Sequence, residues 1–454
     1  MPEVKNWFGD LVSHPQMIVD VHSVDDIVAV LKDPGQYPSP VRAAGSNHST
    51  APCAAADGGT LLRMKMNRIL NVGTDTVTVE AGAIYLDIAE ELEKHNLQFH
   101  VNTEIGNLSA GSAACAGTKD ASFPGEFGQV GSYVTALKMV LPSGEVVEVT
   151  EAQPELMQKV RASYGLFGII FEVTFRVRPI VPMHVHHKTF NLKDFLATLP
   201  ELKRLGYSIM YYIFVFDDRI TVEFRKYNPE AKGDPNRHLW HLRNYMWAQA
   251  GPKFAHDTEQ NVRIASLRYA IIDNFSALWR LNAENILHSE YTIAKDQIIR
   301  YPEVSNDSRY TFSLFAFPED KFPQSLTEYF QFCRDYERKQ HYRTNMLDVG
   351  YRIAQDQNSL LSYSWDGPVM TIDPVSTANP GWKEFLNAYN EFCSERGGTP
   401  VPNQTYGITP AQARKSFGDR LDIIEQARRQ YDPANRLLNE YFRTLLSAAQ
   451  PSAE

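Results

Sequence analysis

Cysteines are few in this sequence and follow no recognisable pattern. None of the four is spaced as CxxC or CxxH; they are Cys53, Cys115, Cys333 and Cys393. The missing spacing disfavours a zinc site and a disulfide framework, so we expect no metal. Reduced thiols are typical of a cytoplasmic protein.

Long apolar runs and an excess of basic charge are also missing. No stretch approaches the roughly 20 apolar residues that a membrane span needs. The opening MPEVKNWFGDLVSHPQ lacks the basic and apolar segments of a signal peptide. With 45 Lys and Arg against 54 Asp and Glu, the net charge is −9, which gives no electrostatic reason to bind nucleic acid. We expect a cytoplasmic protein with no membrane span and no nucleic-acid partner.

Short strands and helices are predicted to alternate over residues 17–180. Ser23 is placed to cap a helix with the sequence VDDIVAVLK. The residues of Thr76–Glu80 alternate as in a strand, and Lys138–Val149 has the turn chemistry of a hairpin. In Phe171–Arg178 the even spacing of apolar residues predicts a strand with one buried face.

The middle of the chain, about 183–395, is rich in aromatic residues. Pro179 and Pro182 mark the domain boundary before it. A hairpin is predicted over 207–227, and since both of its faces are apolar, the sheet should be covered on both sides. One cover is either ordinary core or a pocket for an apolar or aromatic ligand. Helices over 275–287 and 326–339, two strands near 360–373 and a helical tail over 405–446 complete an α+β fold.

Two turns are much denser in small residues than their surroundings. They read AAGSNHST, at 43–50, and GNLSAGSAACAGT, at 106–118. Small residues allow a ligand to approach the backbone, and successive N–H groups form anion sites that suit a diphosphate. Neither turn has the GxGxxG or the GxxxxGKS/T spacing. The alternative is that both are merely tight turns between strands.

The order of several motifs resembles one family of flavoproteins. These motifs are VRAAGSNHS, DTVTVEAGAIYLDIAEELEKHNL, EIGNLSAGSAACAGTKDAS, VTALKMVLPSGEVVEVTE, SYGLFGIIFEVTFRVRP and YDPANRLLNEYF. Together they resemble the FAD-linked oxidases of the vanillyl-alcohol oxidase superfamily, with a PCMH-type FAD-binding domain, and within it the sugar-lactone and alditol oxidase branch. The resemblance implies a two-subdomain FAD-binding domain at 1–180. It also implies an α+β substrate cap at 181–400 and a segment at 401–454 that returns to the FAD-binding domain.

The resemblance also implies which residues contact FAD. They are Ala44, Gly45, Ser46, Asn47, His48, Ser49, Gly106, Asn107, Ser109, Gly111, Ser112, Cys115, Gly117, Thr118, Gly168, Ile170 and Asn439. In the family the histidine of the first turn is often bonded to the 8α-methyl carbon of the flavin. For His48 a noncovalent contact or a structural role are the alternatives. A second, cysteine link is not expected, since Glu104 and Ile105 occupy its place.

The family's catalytic residues match this sequence less well. Relatives carry a Glu-x-Arg pair on a cap strand, where this chain has Asp348 and Gly350, with Arg352 two positions further on. A later histidine and lysine are replaced, with Gln404 near the lysine position. Our catalytic candidates are therefore Asp348, Arg352, Gln404 and Tyr406. The departures favour either a less polar substrate or chemistry that relies less on a charged clamp. For Asp348 and Arg352 the alternative is a solvent-facing pair on an edge strand.

The run HVHH at 184–187 invites a metal-binding interpretation, because His184 and His186 would share one strand face. No acidic or sulfur partner stands nearby in the sequence. A solvated strand is the favoured interpretation.

Together these features predict an FAD-dependent oxidoreductase. It would oxidise a CH–OH or CH–NH carbon of a small organic substrate by hydride transfer to flavin N5, with O2 as acceptor and H2O2 as product. One alternative is a dehydrogenase that passes electrons to a quinone or a protein carrier. Another is a non-catalytic binding protein without flavin, against which the intact phosphate-binding turns argue.

Overall fold

A computed structural model describes residues 2–234, 237–302 and 307–449. It has the predicted α+β fold, which contains a three-stranded parallel sheet, a six-stranded antiparallel sheet and an eight-stranded antiparallel sheet. Among the described residues, no helix combines the length and the apolarity that crossing a bilayer requires.

The three-stranded parallel sheet and the six-stranded antiparallel sheet are built from the first 180 residues. The strands are β1 (Val4–Lys5), β2 (Val12–Ser13), β3 (Met17–Val21), β4 (Val41–Ala44), β5 (Thr60–Met64), β6 (Ile69–Val72), β7 (Thr76–Glu80), β8 (Leu97–Phe99), β9 (Val134–Val140), β10 (Val146–Thr150) and β11 (Ile169–Pro179). The helices are α1 (Val24–Lys32), α2 (Tyr85–Lys94), α3 (Ala110–Cys115) and α4 (Pro154–Val160). The parallel sheet has the order β3-β5-β4, and the antiparallel sheet has the order β10-β9-β11-β7-β6, with β8 also on β11.

The middle region builds the eight-stranded sheet and its helical layers. The strands of this region are β12 (Met183–Phe190), β13 (Ser208–Phe214), β14 (Arg219–Tyr227), β15 (Ser289–Thr292), β16 (Thr311–Phe312), β17 (Phe315–Pro318), β18 (Asp348–Ile353), β19 (Val369–Ile372), β20 (Val375–Ser376) and β21 (Thr399–Pro400). Of these, β16 and β20 pair with each other in a separate two-stranded sheet, and the other eight form the large sheet. The helices of this region are α5 (Leu192–Arg204), α6 (Trp240–Tyr245), α7 (Gly251–Asn261), α8 (Ala265–Asn285), α9 (Ala294–Gln297), α10 (Phe322–Gln340) and α11 (Trp382–Glu395), with a π-helical turn at Met246–Ala250 between α6 and α7.

Local sequence signals account for the elements that were predicted correctly. The Ser23 side chain accepts a hydrogen bond from the Asp26 backbone, and Asp26 completes a capping box at the start of α1. Strand β7 and the β9–β10 hairpin are confirmed, and β11 buries its predicted apolar face. The hairpin over 207–227 is confirmed as β13 and β14.

The eight-stranded sheet is covered on both faces, as its apolar pattern predicts. Along β13, Ile209 and Tyr211 pack into one core with α10 and α11, whereas Met210 and Tyr212 pack into a second core with Trp247. The prediction of two strands near 360–373 is wrong in part. Residues 360–365 form a turn, so β19 is the one strand of that stretch within the described structure.

The chain end returns to the first 180 residues. The helices α12 (Pro410–Phe417), α13 (Arg420–Tyr431) and α14 (Glu440–Leu446) contribute Phe417, Ile424 and Phe442 to the core that also holds Val77 and Val173. This packing supports the three-part division into 1–180, 181–400 and 401–454, which we propose for the whole chain.

Gly350 in β18 allows the closest contact in the eight-stranded sheet. A Cβ there would lie 2.0 Å from Tyr211 Cε2 and 2.5 Å from the Thr371 carbonyl oxygen. Gly350→Ala should therefore lower the free energy of unfolding by about 1–3 kcal/mol, as overpacked cores do. Gly367→Ala is the matched control, because its Cβ would meet nothing within 4 Å. Equal urea unfolding midpoints for the two variants would contradict this packing.

Candidate FAD and substrate site

The first turn follows β4 and leaves several backbone donors unused. The N–H groups of residues 46–49 donate to no acceptor within the described structure. The N-terminal segment holds the turn through two hydrogen bonds. The Trp7 backbone N–H donates to the Asn47 carbonyl at 2.7 Å, and the Asn6 side-chain amide donates to the Ser49 carbonyl. Asn47 adopts a left-handed conformation with φ 56°. Successive free N–H groups on a fixed turn are what a bound anion requires.

The two small-residue turns meet at Gly45. A Cβ at this position would lie 2.3 Å from Ser109 Oγ and 2.4 Å from Ser112 Oγ, so only glycine allows the contact. Both turns line one cavity of about 760 Å³, part of which opens to solvent. The two turns therefore face each other across a common cavity.

A buried cation without a carboxylate partner also lines this cavity. The Arg42 guanidinium is buried and donates to the carbonyl oxygens of Tyr164 at 2.5 Å, Cys53 at 2.9 Å and Leu437 at 3.0 Å. No carboxylate oxygen lies within 4.0 Å of it among the described residues. Because a buried charge without a counter-charge is costly, an anionic ligand fits this site. The free N–H groups, the glycine contact and Arg42 together fit the diphosphate of FAD.

His48 lies at one end of the cavity against the N-terminal hairpin. Its ring stacks on Trp7 with 5.1 Å between the ring centroids and 24° between the planes. The Trp7 indole N–H donates to the Pro302 carbonyl at 2.9 Å, which fixes the stacking partner. Burial lowers the pKa of His48 to about 4, so the imidazole is neutral at physiological pH.

The expected FAD contacts divide into two groups. Those that line the 760 Å³ cavity are Gly45, Ser46, Asn47, His48, Ser49, Ser112, Cys115 and Thr118. Those that do not are Ala44, Gly106, Asn107, Ser109, Gly111, Gly117, Gly168, Ile170 and Asn439. For the second group, direct contact with FAD is not supported by the cavity's lining.

Four residues of the second group make hydrogen bonds that hold the second turn or the loop after the first turn. Gly106 donates to the Ile299 carbonyl, Asn107 exchanges two hydrogen bonds with the Tyr301 backbone, and Gly111 donates to the Ala81 carbonyl. The Asn439 amide donates to three carbonyl oxygens, those of Pro52, Cys53 and Ala55.

The remaining members of the group also pack against protein. Gly168 packs on Met139 and the Val140 carbonyl, and Ile170 is buried in β11. Ser109 and Gly117 are components of the second turn: Ser109 Oγ donates to Ser112 Oγ, and the Gly117 N–H donates to the Asn403 side chain.

A second cavity of about 620 Å³ adjoins the first. The two share Ile105, Leu108, Thr118, Phe312 and Gln404 as walls. Gln404, an expected site residue, is held there by donating to the Gly117 carbonyl at 2.8 Å. The second cavity extends toward the eight-stranded sheet, where it is lined by Lys119, Tyr351 and Asp373. We call it the catalytic cavity.

A lysine and an aspartate form the charged pair of the catalytic cavity. Lys119 Nζ lies 3.2 Å from Asp373 Oδ2 and 3.5 Å from the centroid of the Tyr351 ring. Burial raises the pKa of Asp373 to about 6, although the neighbouring Lys119 ammonium opposes the shift. Asp373 Oδ1 is buried and receives no hydrogen bond from the described residues. The acceptor capacity of this oxygen is therefore unused within the described structure.

A second charged group surrounds Glu104 at the edge of the same cavity. Its carboxylate accepts hydrogen bonds from Arg243, at 2.5 Å, and from the Tyr351 hydroxyl. Arg243 is fully buried and also lies 3.5 Å from Glu223. Sequence reasoning missed these groups, because they come from distant segments and match no motif. Lys119 alone had a signal, since it directly follows the second turn.

The geometry does not support the expected catalytic pair on β18, Asp348 and Arg352. Alternation along the strand places Val349 and Tyr351 toward the catalytic cavity, so Asp348 and Arg352 face the other side. The Asp348 carboxylate accepts from the Tyr329 hydroxyl at 2.8 Å, and Arg352 pairs with Glu319 at 3.2 Å. Both are satisfied structural groups.

Tyr406 is likewise outside the site. Its ring is half-buried beneath Lys383 Nζ, 5.7 Å from the ring centroid, and lines neither cavity. Of the four catalytic candidates, Gln404 is the one that lines the cavities.

The histidines of the run on β12 make contacts with neighbouring protein groups. His187 is buried, with Nδ1 2.7 Å from the Leu287 carbonyl oxygen and Nε2 3.1 Å from Glu223, so the expected solvated strand is wrong for this residue. His184 lies 2.9 Å from Glu290 and is partly exposed. No cluster of three potential metal ligands occurs in the described parts of the chain.

Comparison with known proteins agrees with this geometry. The profile of the FAD binding domain family matches residues 15–150, which contain both turns. L-gulonolactone oxidase from Bos taurus is 27% identical over 241 residues, which cover 52% of this chain and 54% of that protein. A mitochondrial D-lactate dehydrogenase (cytochrome) from Arabidopsis thaliana is 30% identical over 194 residues, covering 40% of this chain and 33% of that protein. The chain thus spans about half the length, or less, of these curated relatives.

A structural neighbour shows that the fold extends over the whole chain. A cholesterol oxidase from B. sterolicum superimposes with a TM-score of 0.77 at 16% identity, covering 98% of this chain and 96% of that one. The chain therefore shares the fold of that oxidase, and its residues 15–150 match an FAD-binding domain. The resemblance to the FAD-linked oxidases of the vanillyl-alcohol oxidase superfamily is confirmed, and FAD is its cofactor.

The contact at Gly45 predicts a strong effect on cofactor binding. Gly45→Ala should separate the two turns and raise the Kd for FAD at least about tenfold, since a loss of 1.4 kcal/mol has this effect, so that the purified protein retains less flavin. The measurement is the ratio of flavin to protein absorbance after gel filtration. Gly35→Ala is the control, because its Cβ would make an ordinary 3.4 Å contact in a distant turn. Equal flavin content in the two variants would contradict the contact.

Proposed function

We propose that the protein is an FAD-dependent oxidoreductase that oxidises a CH–OH, or CH–NH, carbon of a small organic substrate. The observation that carries this proposal is the shared wall between the two cavities. One cavity carries the anion-binding turns, and the other carries a charged pair with a free carboxylate oxygen. A flavin held by the first would present its ring at the second.

The chain's own residues divide into holding and reacting groups. The free N–H groups of 46–49 would hold the diphosphate, with Gln404 at the boundary between the cavities. Arg42, whose own N–H groups already donate to carbonyl oxygens, would contribute positive charge from the cavity wall. Bound FAD supplies a hydride acceptor at flavin N5. The aromatic walls of the catalytic cavity, Trp247, Tyr310 and Phe312, exclude water from the reacting carbon.

Asp373 is the proposed base. Its free Oδ1 takes the proton of the substrate hydroxyl, while Lys119 holds Oδ2. The same ammonium stabilises the negative charge that develops on the substrate oxygen as the proton leaves. The carboxylate is buried enough to be a stronger base than an exposed aspartate.

The electron acceptor that we propose is dioxygen, giving H2O2. The name of the L-gulonolactone oxidase supports this choice, whereas the name of the D-lactate dehydrogenase favours transfer to another carrier. The test is to reduce the protein with substrate and admit air. Prompt reoxidation with one H2O2 per flavin supports the oxidase. Slow reoxidation that a quinone or a cytochrome accelerates supports the dehydrogenase.

We further propose that His48 is bonded to the flavin. A neutral imidazole has the free nitrogen lone pair that bonding to carbon requires, and the low pKa of His48 keeps it neutral. The wild-type protein should remain yellow after acid precipitation, and His48→Ala should release all of its FAD into the supernatant. His14→Ala, at an exposed histidine, is the control and should behave as wild type. A colourless wild-type pellet would contradict the bond and leave FAD binding intact.

The pKa of Asp373 predicts the pH dependence of the reaction. As a base it acts when deprotonated, so kcat/KM should rise with pH through about 6 and then stay level. Asp373→Asn should lower kcat by about a hundredfold to ten-thousandfold and remove this step. The exposed Asp366→Asn is the control. An Asp373→Asn enzyme that retains both rate and profile would assign the base to another group.

A further inference from the structure

A third cavity, of about 470 Å³, lies between α7, α8 and the segment that enters β18. We call it the apolar cavity. Phe254 of α7 and Phe275 of α8 stack in its wall with 4.1 Å between centroids, and Ile272 and Trp279 extend the same surface. Met346 lies opposite, on the segment before β18. None of the residues that line it is charged.

The apolar cavity offers almost no hydrogen-bonding partners. Its two polar side chains are Ser276 and Asn345. Asn345 is already satisfied, because it donates to Thr377 Oγ1 at 2.7 Å and accepts from Ser376 Oγ and the Thr377 N–H. A polyhydroxylated ligand placed here would lose its hydrogen bonds to water without replacement. The cavity therefore suits the part of a ligand that has no hydroxyl groups.

The apolar cavity adjoins the catalytic cavity. Trp247, on the π-helical turn, lines both, and its indole N–H is buried without an acceptor in the described structure. The chain also passes directly from one cavity to the other. Leu347 lines the apolar cavity and Val349, two residues further on, lines the catalytic one. Two residues of extended chain span about 7 Å.

We propose that the two cavities form one substrate site, which takes an alcohol with an extended apolar body. This assignment rests on the proposed function and names its substrate class. The hydroxyl-bearing carbon lies between Lys119 and the flavin position, and the apolar body passes Trp247 into the space between α7 and α8. Polyhydroxylated lactones are then poor substrates, because the second half of the site cannot satisfy their hydroxyl groups.

The first test follows kcat/KM of the flavin-loaded enzyme along the primary alkanols from ethanol to dodecanol. Burial of each methylene should raise kcat/KM about fourfold until the apolar cavity is full. Ser276→Leu fills the cavity, so the rise should end at a shorter alkanol. Ser266→Leu makes the same substitution at an exposed position of the same helix and should leave the series unchanged. A flat series, or a series that Ser276→Leu does not shorten, would overturn the assignment.

A second measurement does not depend on turnover. A terminally brominated decanol should quench the tryptophan fluorescence of the wild type, because Trp247 and Trp279 line the apolar cavity, and should quench Ser276→Leu less. Quenching with this pattern, but no oxidation of any alcohol, would support the apolar site and refute the proposed function. Oxidation with a flat series and no quenching would refute the apolar site and leave the proposed function standing.

Discussion

The contact of Gly45 with Ser109 and Ser112 is the constraint on which the site depends. It joins two segments that are distant in sequence, one after a strand of the parallel sheet and one beside the antiparallel sheet. Because no side chain separates them, their backbones enclose one cavity that also holds the buried Arg42. Four free N–H groups on one turn, beside a buried guanidinium with no carboxylate partner, give the cavity donors and positive charge for an anion. They are consistent with a fold that is completed by an anionic cofactor.

The cavity of about 760 Å³ that both turns line is here called the FAD cavity. The chemistry that we propose takes place where it meets the catalytic cavity. The FAD cavity is formed by the first 180 residues together with Phe312, Asn403 and Gln404, whereas the catalytic cavity takes Tyr351 from β18 and Asp373 from the position directly after β19. Burial is what makes the Lys119–Asp373 pair useful, since it weakens the acid and removes competing water. The same burial keeps His48 neutral. One physical effect, burial, therefore acts on both the proposed base and the proposed point of flavin attachment.

Local patterns predicted the fold well and the cofactor site in part. Period-two alternation located β7 and β11, capping chemistry located α1, and the density of small residues located both turns. The catalytic site was not predictable in the same way. The position of Asp348 relative to the family motifs indicated β18, which does line the catalytic cavity. Alternation along that strand, however, points Val349 and Tyr351 toward the cavity and Asp348 away from it. Asp373, Glu104 and Arg243 meet through tertiary packing alone. Asn439 bonds to the loop at 52–55 and Gly168 packs on β9, and a motif does not distinguish such structural contacts from ligand contact.

Hydrogen exchange of the backbone across residues 41–50 tests the central claim most directly. The comparison is between the FAD-loaded and the FAD-free forms of the His48→Ala protein, so that a covalent bond plays no part. If the free N–H groups of the first turn donate to the diphosphate, their exchange should slow markedly with FAD. A peptide covering the turn between β9 and β10 should exchange equally in both forms, because no residue of that turn lines the FAD cavity. Unchanged exchange at 41–50 in a protein that holds FAD would contradict the account.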